Sequence, residues 1–334
     1  MHRRTNGVAL GDQSPLLILA VFSSTGGCPQ SGGPSRTEHA MSGSQFIELF
    51  VGGLAIGCIY SLIALGFTMI IRATGVLHFA QGEVVMLGAM FGVTAHRLLP
   101  LPFIALLVVG MVFGGLAAVA IELGVYRTLR LRRVPLMNII IATVGMSILL
   151  QNTGQLVWGS EPIAYPKLFA TESYSIGPAR VAPQLVWIIV LGIFFMVLLQ
   201  LFLAFTRTGR AMQAAAQSPE TAQLMGINLT RITAYTYGIG GVLGGGAGVL
   251  LGSLFYASFS MGFLPAMKAF VAATLGGLGS IGGAMAGGIL FGLIETFAAI
   301  SISTSYKDAV GMILLILILL AWPEGLVGVI RHGR

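Results

Sequence analysis

The distance between charges is what most limits this chain. Residues 49–71, 98–121, 134–160, 181–206, 232–267 and 269–294 contain no Asp, Glu, Lys or Arg. A helix crossing a hydrocarbon core of about 30 Å needs roughly 20 apolar residues, so each stretch is long enough to span. Residues 84–96 and 309–323 are shorter, and an ionisable residue near a helix end can complete each. Barrel strands alternate apolar and polar residues over about 10 positions. Residues 312–320, Met-Ile-Leu-Leu-Ile-Leu-Ile-Leu-Leu, are instead apolar on every side. With 9% of residues charged, against roughly 25% in soluble domains, the chain requires lipid as its solvent. The expected fold is all-α: a polytopic transmembrane helical bundle of about 8–9 spanning helices with a possible short re-entrant element. Spans are expected near 46–71, 77–97, 101–125, 136–157, 184–206, 232–257, 282–300 and 308–329, with a Gly-rich re-entrant or short segment at 266–280.

A net charge of +7 would suit nucleic acid, but the positions of the charges decide otherwise. Nine of the 18 Lys and Arg fall in three places: Arg127, Arg130, Arg132 and Arg133; Arg207, Arg210 and Arg231; and Arg331 and Arg334. Short loops rich in Lys and Arg mark the cytoplasmic side, so the basic balance reports orientation and contact with anionic membrane lipid. Residues 159–183, with Glu161, Pro162, Pro166, Glu172, Pro178 and Pro183, are then external. Parity places the N-terminus outside as well. Cys28 and Cys58 provide no disulfide framework, and Cys58 reads as packing.

Residues 1–40 differ from the rest, with loop composition in Ser-Ser-Thr-Gly-Gly at 23–27 and Ser-Gly-Gly-Pro-Ser at 31–35. They are expected to be a disordered extension ahead of a transmembrane domain at 41–334, and Met41 is hypothesised to be the natural start. Peptides from residues 5–35 in the natively expressed chain would sink that hypothesis.

Of 47 glycines, many crowd into 238–252 and 276–292. Small residues spaced by four let helix backbones approach closely in lipid. The rows Gly240, Gly244, Gly248, Gly252 and Gly279, Gly283, Gly287 therefore read as helix packing. No Gly-x-x-x-x-Gly-Lys-Ser/Thr occurs, so these glycines do not read as a phosphate cradle.

The most informative soluble stretch is 207–231. Ser218 is a good N-cap, Pro219 suits the first helical position, Glu220 favours the positive helix end and Gly226 suits a left-handed stop. A helix of about two turns is expected over 219–225. So short a helix is marginal alone in water, which leaves an ordinary loop or a docking element. Gly-Arg…Ala-Ala-Ala-Gln-Ser-Pro-Glu-Thr-Ala…Met-Gly-Ile-Asn here resembles the cytoplasmic coupling loop of ATP-binding-cassette (ABC) importer permeases. Residues 41 to about 330 resemble the branched-chain amino acid permeases of that class. The resemblance also rests on Gly57-Cys58-Ile59-Tyr60-Ser61-Leu62, His78-Phe79-Ala80-Gln81-Gly82-Glu83, Gly145-Met146-Ser147-Ile148-Leu149-Leu150-Gln151-Asn152 and Leu275-Gly276-Gly277-Leu278-Gly279-Ser280.

That resemblance implies a multi-pass subunit of the bacterial inner membrane with no cofactor and no catalysis of its own. It implies partners: a second permease subunit, two ABC ATPase subunits, and a periplasmic or extracellular substrate-binding protein. The ATPase-coupling contact is assigned on it to Ser218, Pro219, Glu220, Thr221, Leu224, Met225 and Gly226.

Ionisable and amide groups at membrane depth tend to face cavities or partners. His78, Gln81 and Glu83, off one narrow helix face, are candidates for a pathway lining or for a structural network at a helix start. Glu295 and Asn138 are further pathway candidates, as are Gln151 and Asn152, which could instead cap a helix near the outer surface. Glu122 is expected to pair with a basic neighbour at the inner face, and Lys268 to be an interfacial anchor. Rival readings are an ion-coupled secondary transporter, a permease for urea or short amides, and an intramembrane enzyme. The five histidines, at 2, 39, 78, 96 and 332, form no facing pair for haem or zinc.

Overall fold

The computed structural model describes residues 43–165, 174–176, 179–301 and 307–321. The expectations for residues 1–40, for Pro166, Glu172 and Pro178, for the last turns of a helix to 329, and for Arg331 and Arg334 lie outside the described residues. What is described is a bundle of helices, as an all-α polytopic membrane protein requires.

Helix α1 (Gly43–Thr74) has 32 residues, about 48 Å at 1.5 Å per residue, and runs through the middle of the bundle. From Cys58 to Ile70 every residue is buried, because a helix apolar all round belongs inside. Thr74 Oγ1 donates to Ile70 O at 2.8 Å, and Gly75, at φ +69°, ends the helix.

The next helix, α2 (Gln81–Leu98), starts four residues later than the expected 77. Residues 76–80 are not helical. Their backbone is tied sideways instead, with Phe79 N donating to Thr143 Oγ1 at 3.4 Å. Irregular backbone at this depth is tolerated where protein supplies the partner.

Helix α3 (Phe103–Leu131) contains a π turn at Glu122–Tyr126. After Arg133, in the left-handed region at φ +51°, α4 (Leu136–Trp158) crosses back. Beyond it, β1 (Ile163–Ala164) precedes a small hairpin of β2 (Tyr174–Ile176) with β3 (Ala179–Val181). Next come α5 (Pro183–Phe205), α6 (Arg207–Gln217), α7 (Pro219–Leu224) and α8 (Leu229–Leu254). Strand β4 (Tyr256–Ala257) pairs antiparallel with β1, Ile163 opposite Ala257. The far ends of α4 and α8 therefore share one side, opposite the basic segments 127–133 and 207–231.

The segment expected at 266–280 is α9 (Phe263–Gly276), 14 residues and about 21 Å long, too short to cross. Gly277 at φ +94° and Gly279 at φ +90° turn the chain into α10 (Ile281–Ser301). Gly279 thus serves a turn, not the helical row assigned to it. The two helices pack so tightly that a Cβ on Gly283 would lie 2.0 Å from Gly276 O, and one on Gly287 2.2 Å from Ala272 O. The chain then enters α11 (Lys307–Ala321).

Glycine brings α8 against three neighbours. A Cβ at Gly248 would sit 2.0 Å from Val85 O of α2, at Gly245 2.2 Å from Gly110 O of α3, and at Gly240 3.4 Å from Gly66 Cα of α1. Gly252 faces the Tyr165 ring, whose hydroxyl donates to Ala89 O at 2.7 Å.

Among the described residues six helices are long and apolar enough to cross a membrane: α1, α3, α4, α5, α8 and α10. The expected 8–9 included α2, whose 18 residues carry Glu83, His96 and Arg97, and α11, described over 15 residues.

Candidate functional site

Two regions carry chemistry. The first is the elbow between α5 and α8. Sequence reasoning expected one short helix there, and the structure has two. Helix α6 was missed because Thr206 is its N-cap, accepting from Gly209 N at 2.9 Å, and a threonine that ends an apolar run is a weak signal. Its Met212 and Ala215 are buried, and Gln213 Nε2 donates to Leu203 O at 3.3 Å, which seats the helix on the end of α5.

In α7, Ser218 Oγ accepts from Thr221 N at 3.4 Å and donates to Thr221 Oγ1 at 2.8 Å. Pro219 is at the first position, and Glu220 lies in the first turn. At the other end Ile227 N donates to Ala222 O and Gly226 N to Gln223 O, both at 3.0 Å, with Gly226 at φ +82°. That paired closure is what a glycine in the left-handed region permits. Asn228 Oδ1 then caps α8 by accepting from Arg231 N at 3.1 Å. Only Ala222 of α7 is buried, whereas Leu224 is 88% and Met225 79% exposed. Leu224 in the last position of the helix and Met225 at its C-terminal cap thus expose an apolar surface that the chain does not use itself.

The second region is polar and buried. His78 is fully buried, with its ring edge-to-face against Tyr126 at 5.2 Å and Tyr237 at 5.1 Å. Neither ring nitrogen of His78 has a hydrogen-bond partner among the described residues, nor does the Tyr126 hydroxyl. Gln81 Nε2 donates to Gly240 O at 3.0 Å while its Oε1 has none, and Glu83 Oε1 accepts from Ser147 Oγ at 3.1 Å while Oε2 has none. The group gathers where the start of α2 meets α1, α3, α4 and α8.

Beside it Glu122, buried in the π turn, forms a two-pronged pair with Arg130, Nη1 to Oε2 at 3.1 Å and Nη2 to Oε1. The basic neighbour is therefore eight residues away, across a π turn that shifts the helical phase.

Lys268 is not an interfacial anchor. It is buried and pairs with Glu295 at 2.5 Å and Asp308 at 2.6 Å, linking α9, α10 and α11, because one ammonium inside the bundle must be compensated. Asn138 and Asn152 instead lie on the exposed side of α4, and Gln151 is half-buried. Asn152 Nδ2 donates to Ile148 O at 2.7 Å within the helix, which continues to Trp158, so neither Gln151 nor Asn152 caps its end. The seven pathway candidates thus fall into three separate groups. Tyr126 and Tyr237 were missed as site residues because a tyrosine's type does not show which neighbours its ring will meet.

The family described as branched-chain amino acid transport system / permease component matches residues 49–319. The chain belongs to that family. It is 37% identical over 304 residues to the high-affinity branched-chain amino acid transport system permease protein LivH of Salmonella typhimurium, covering 85% of this chain and 96% of the relative. The LivH of Escherichia coli K12 matches with the same figures. The corresponding permease protein BraD of Pseudomonas aeruginosa is 38% identical over 298 residues, at the same coverage. No solved structure matches. A permease component is in general a non-catalytic subunit of a transport system, so the chain is a multi-pass transport subunit.

Proposed function

We propose that the chain is one half of the membrane channel of an ATP-driven importer for branched-chain or related small amino acids in the bacterial inner membrane. In this reading it pairs with a second permease, two ATPase subunits dock on its cytoplasmic elbow, and a soluble binding protein outside delivers the substrate. The observation that carries the reading is α7, capped at both ends on the basic side of the bundle, with Leu224 and Met225 exposed. The absence of any phosphate-loop motif in the sequence agrees with energy arriving from another chain. The names of the relatives support the substrate class.

ATPase closure would push on Leu224, Met225 and Glu220, and α6 would pass the motion to α5 through Met212 and Gln213. Rigid elements moving against one another are a common means of such switching. Substrate coupling further requires the two states to bind the amino acid differently. His78, Gln81 and Glu83, with unsatisfied buried atoms at the start of α2, are the groups proposed to change partners between them.

Substrate-stimulated ATP hydrolysis by the assembled complex tests the elbow. Leu224→Asp, which puts a charge on the contact, and Gly226→Pro, which cannot adopt a positive φ, are expected to lower it about tenfold or more, with membrane insertion unchanged. A loss of about 1.4 kcal/mol of productive contact corresponds to tenfold. Unchanged hydrolysis in both variants would refute the docking claim.

A further inference from the structure

Among the six helices long enough to span, four invite comparison: in three of them apolarity and exposure go together, and in the fourth they do not. Helices α3 and α5 are the most apolar, with mean hydropathies of 2.7 and 2.9, and only 39% and 28% of their spans are buried. Helix α8 is less apolar, at 1.4, and 72% of it is buried. Helix α4 has the same mean hydropathy of 1.4, yet only 11% of it is buried.

The outward residues of α3 and α5 fit hydrocarbon: Val108, Val112 and Leu116 on one, Val190, Ile193 and Phe194 on the other. The outward residues of α4 include Asn138, Gly145, Asn152 and Gln155. Asn138, Gly145 and Asn152 are seven residues apart, so they share one face with about 20° of drift per step. Leu149 and Leu156, 58% and 87% exposed, lie along it. A Cβ on Gly145 would meet no atom within 4 Å, whereas Gly240, Gly244, Gly245 and Gly248 of α8 are all in contact.

We infer that the Asn138–Gly145–Asn152 face of α4 is the contact with the second permease chain, whose corresponding helix packs parallel against it. The inference rests on the proposed pairing of two permeases and says where they meet. Acyl chains offer no donor or acceptor to Asn152 and gain nothing from a glycine notch. A protein helix with a small residue opposite Gly145 and an amide or hydroxyl opposite Asn152 uses both. Two permeases of like fold and like orientation are related by rotation about the membrane normal, so their corresponding helices run parallel. A seven-residue recurrence is the spacing that keeps one face turned to such a neighbour.

The test uses the complete complex, purified with both permeases and the ATPases. A photo-crosslinking residue at Leu149 is expected to give an adduct with the second permease, and one at Ile193 to give lipid adducts only. Asn152→Leu is expected to lower co-purification of the second permease about three- to tenfold, the range for one interhelical polar contact in lipid, while Ile193→Leu leaves it unchanged. Leu149 adducts with lipid alone, adducts with a second copy of this chain, or undiminished co-purification of Asn152→Leu in an intact complex would each overturn the inference and leave the transport reading standing. Failure of the unaltered chain to bind a second permease or the ATPases would instead overturn the transport reading on which it rests.

Discussion

Helices α8 and α4 are equally apolar, with a mean hydropathy of 1.4, but they occupy opposite environments, one 72% and the other 11% buried. Both contain glycine at membrane depth. In α8 each glycine of the row is met by backbone or side chain: Gly240 by α1, Gly248 by Val85 O, Gly252 by Tyr165. In α4 Gly145 meets nothing. Burying apolar area does not drive helices together in lipid, because the tails are as apolar as leucine. Close packing and hydrogen bonds do that instead. Helix α8 has spent its glycine row on contacts within the chain, whereas α4 packs Gly154 against Met86 and keeps Gly145 open. Hydropathy alone cannot distinguish the two states, but hydropathy read beside exposure can.

The comparison breaks most visibly where the inward-facing polar groups depend on one another. Lys268→Met leaves Glu295 buried without its cation, and removing one partner of a buried pair costs about 3–5 kcal/mol. Thermal unfolding in detergent should show a large loss, partly restored by the double variant Lys268→Met/Glu295→Gln. Absence of restoration would mean that the lysine acts by packing, not charge.

Next is the notch that α8 has filled. Gly248→Val places a Cβ 2.0 Å from Val85 O, and the backbone must shift at about 1–3 kcal/mol. The same assay should register a clear drop, and a neutral result would contradict the close approach of α2 and α8.

The smallest expected effect is on α4. Gly145→Val meets open space, and substitutions away from contacts usually stay within about 0.5 kcal/mol. The isolated permease should keep its unfolding temperature while the assembled complex loses yield. A stability loss in the isolated chain equal to that of Gly248→Val would erase the distinction between the helices.

Much of the architecture could be read from charge spacing. The expected spans at 136–157, 184–206 and 282–300 lie within one residue of α4, α5 and α10, and the one at 101–125 starts within two residues of α3 but ends six short of it, because a charged residue near either end of an apolar run sets how far it can enter hydrocarbon. The elbow was legible in part. Ser218, Pro219 and Gly226 each have one local role, and local roles show in sequence. Helix α6 did not show, since its partners are Phe202 and Leu203 at the end of α5. The late start of α2 was hidden for the same kind of reason, as residues 76–80 are held by Thr143 more than sixty positions away.

The polar groups were the hardest to place. Lys268 read as an anchor because its partners, Glu295 and Asp308, lie 27 and 40 residues further on. The pathway candidates looked like one set and proved to be three, since a residue's type says that it needs a partner without saying where one stands.

By itself the sequence determined that this protein lives in lipid as helices and that a short helix, capped by Ser218 and closed by Gly226, stands between two of them. Those properties follow from local chemistry: desolvation of charge, backbone hydrogen bonding and capping. Only the tertiary structure decided which glycines are occupied, which carboxylates hold Lys268 and which polar face remains open. Those are matters of proximity between distant segments, and in a membrane proximity is set by shape and hydrogen bonds, for which no single stretch of chain carries a signal.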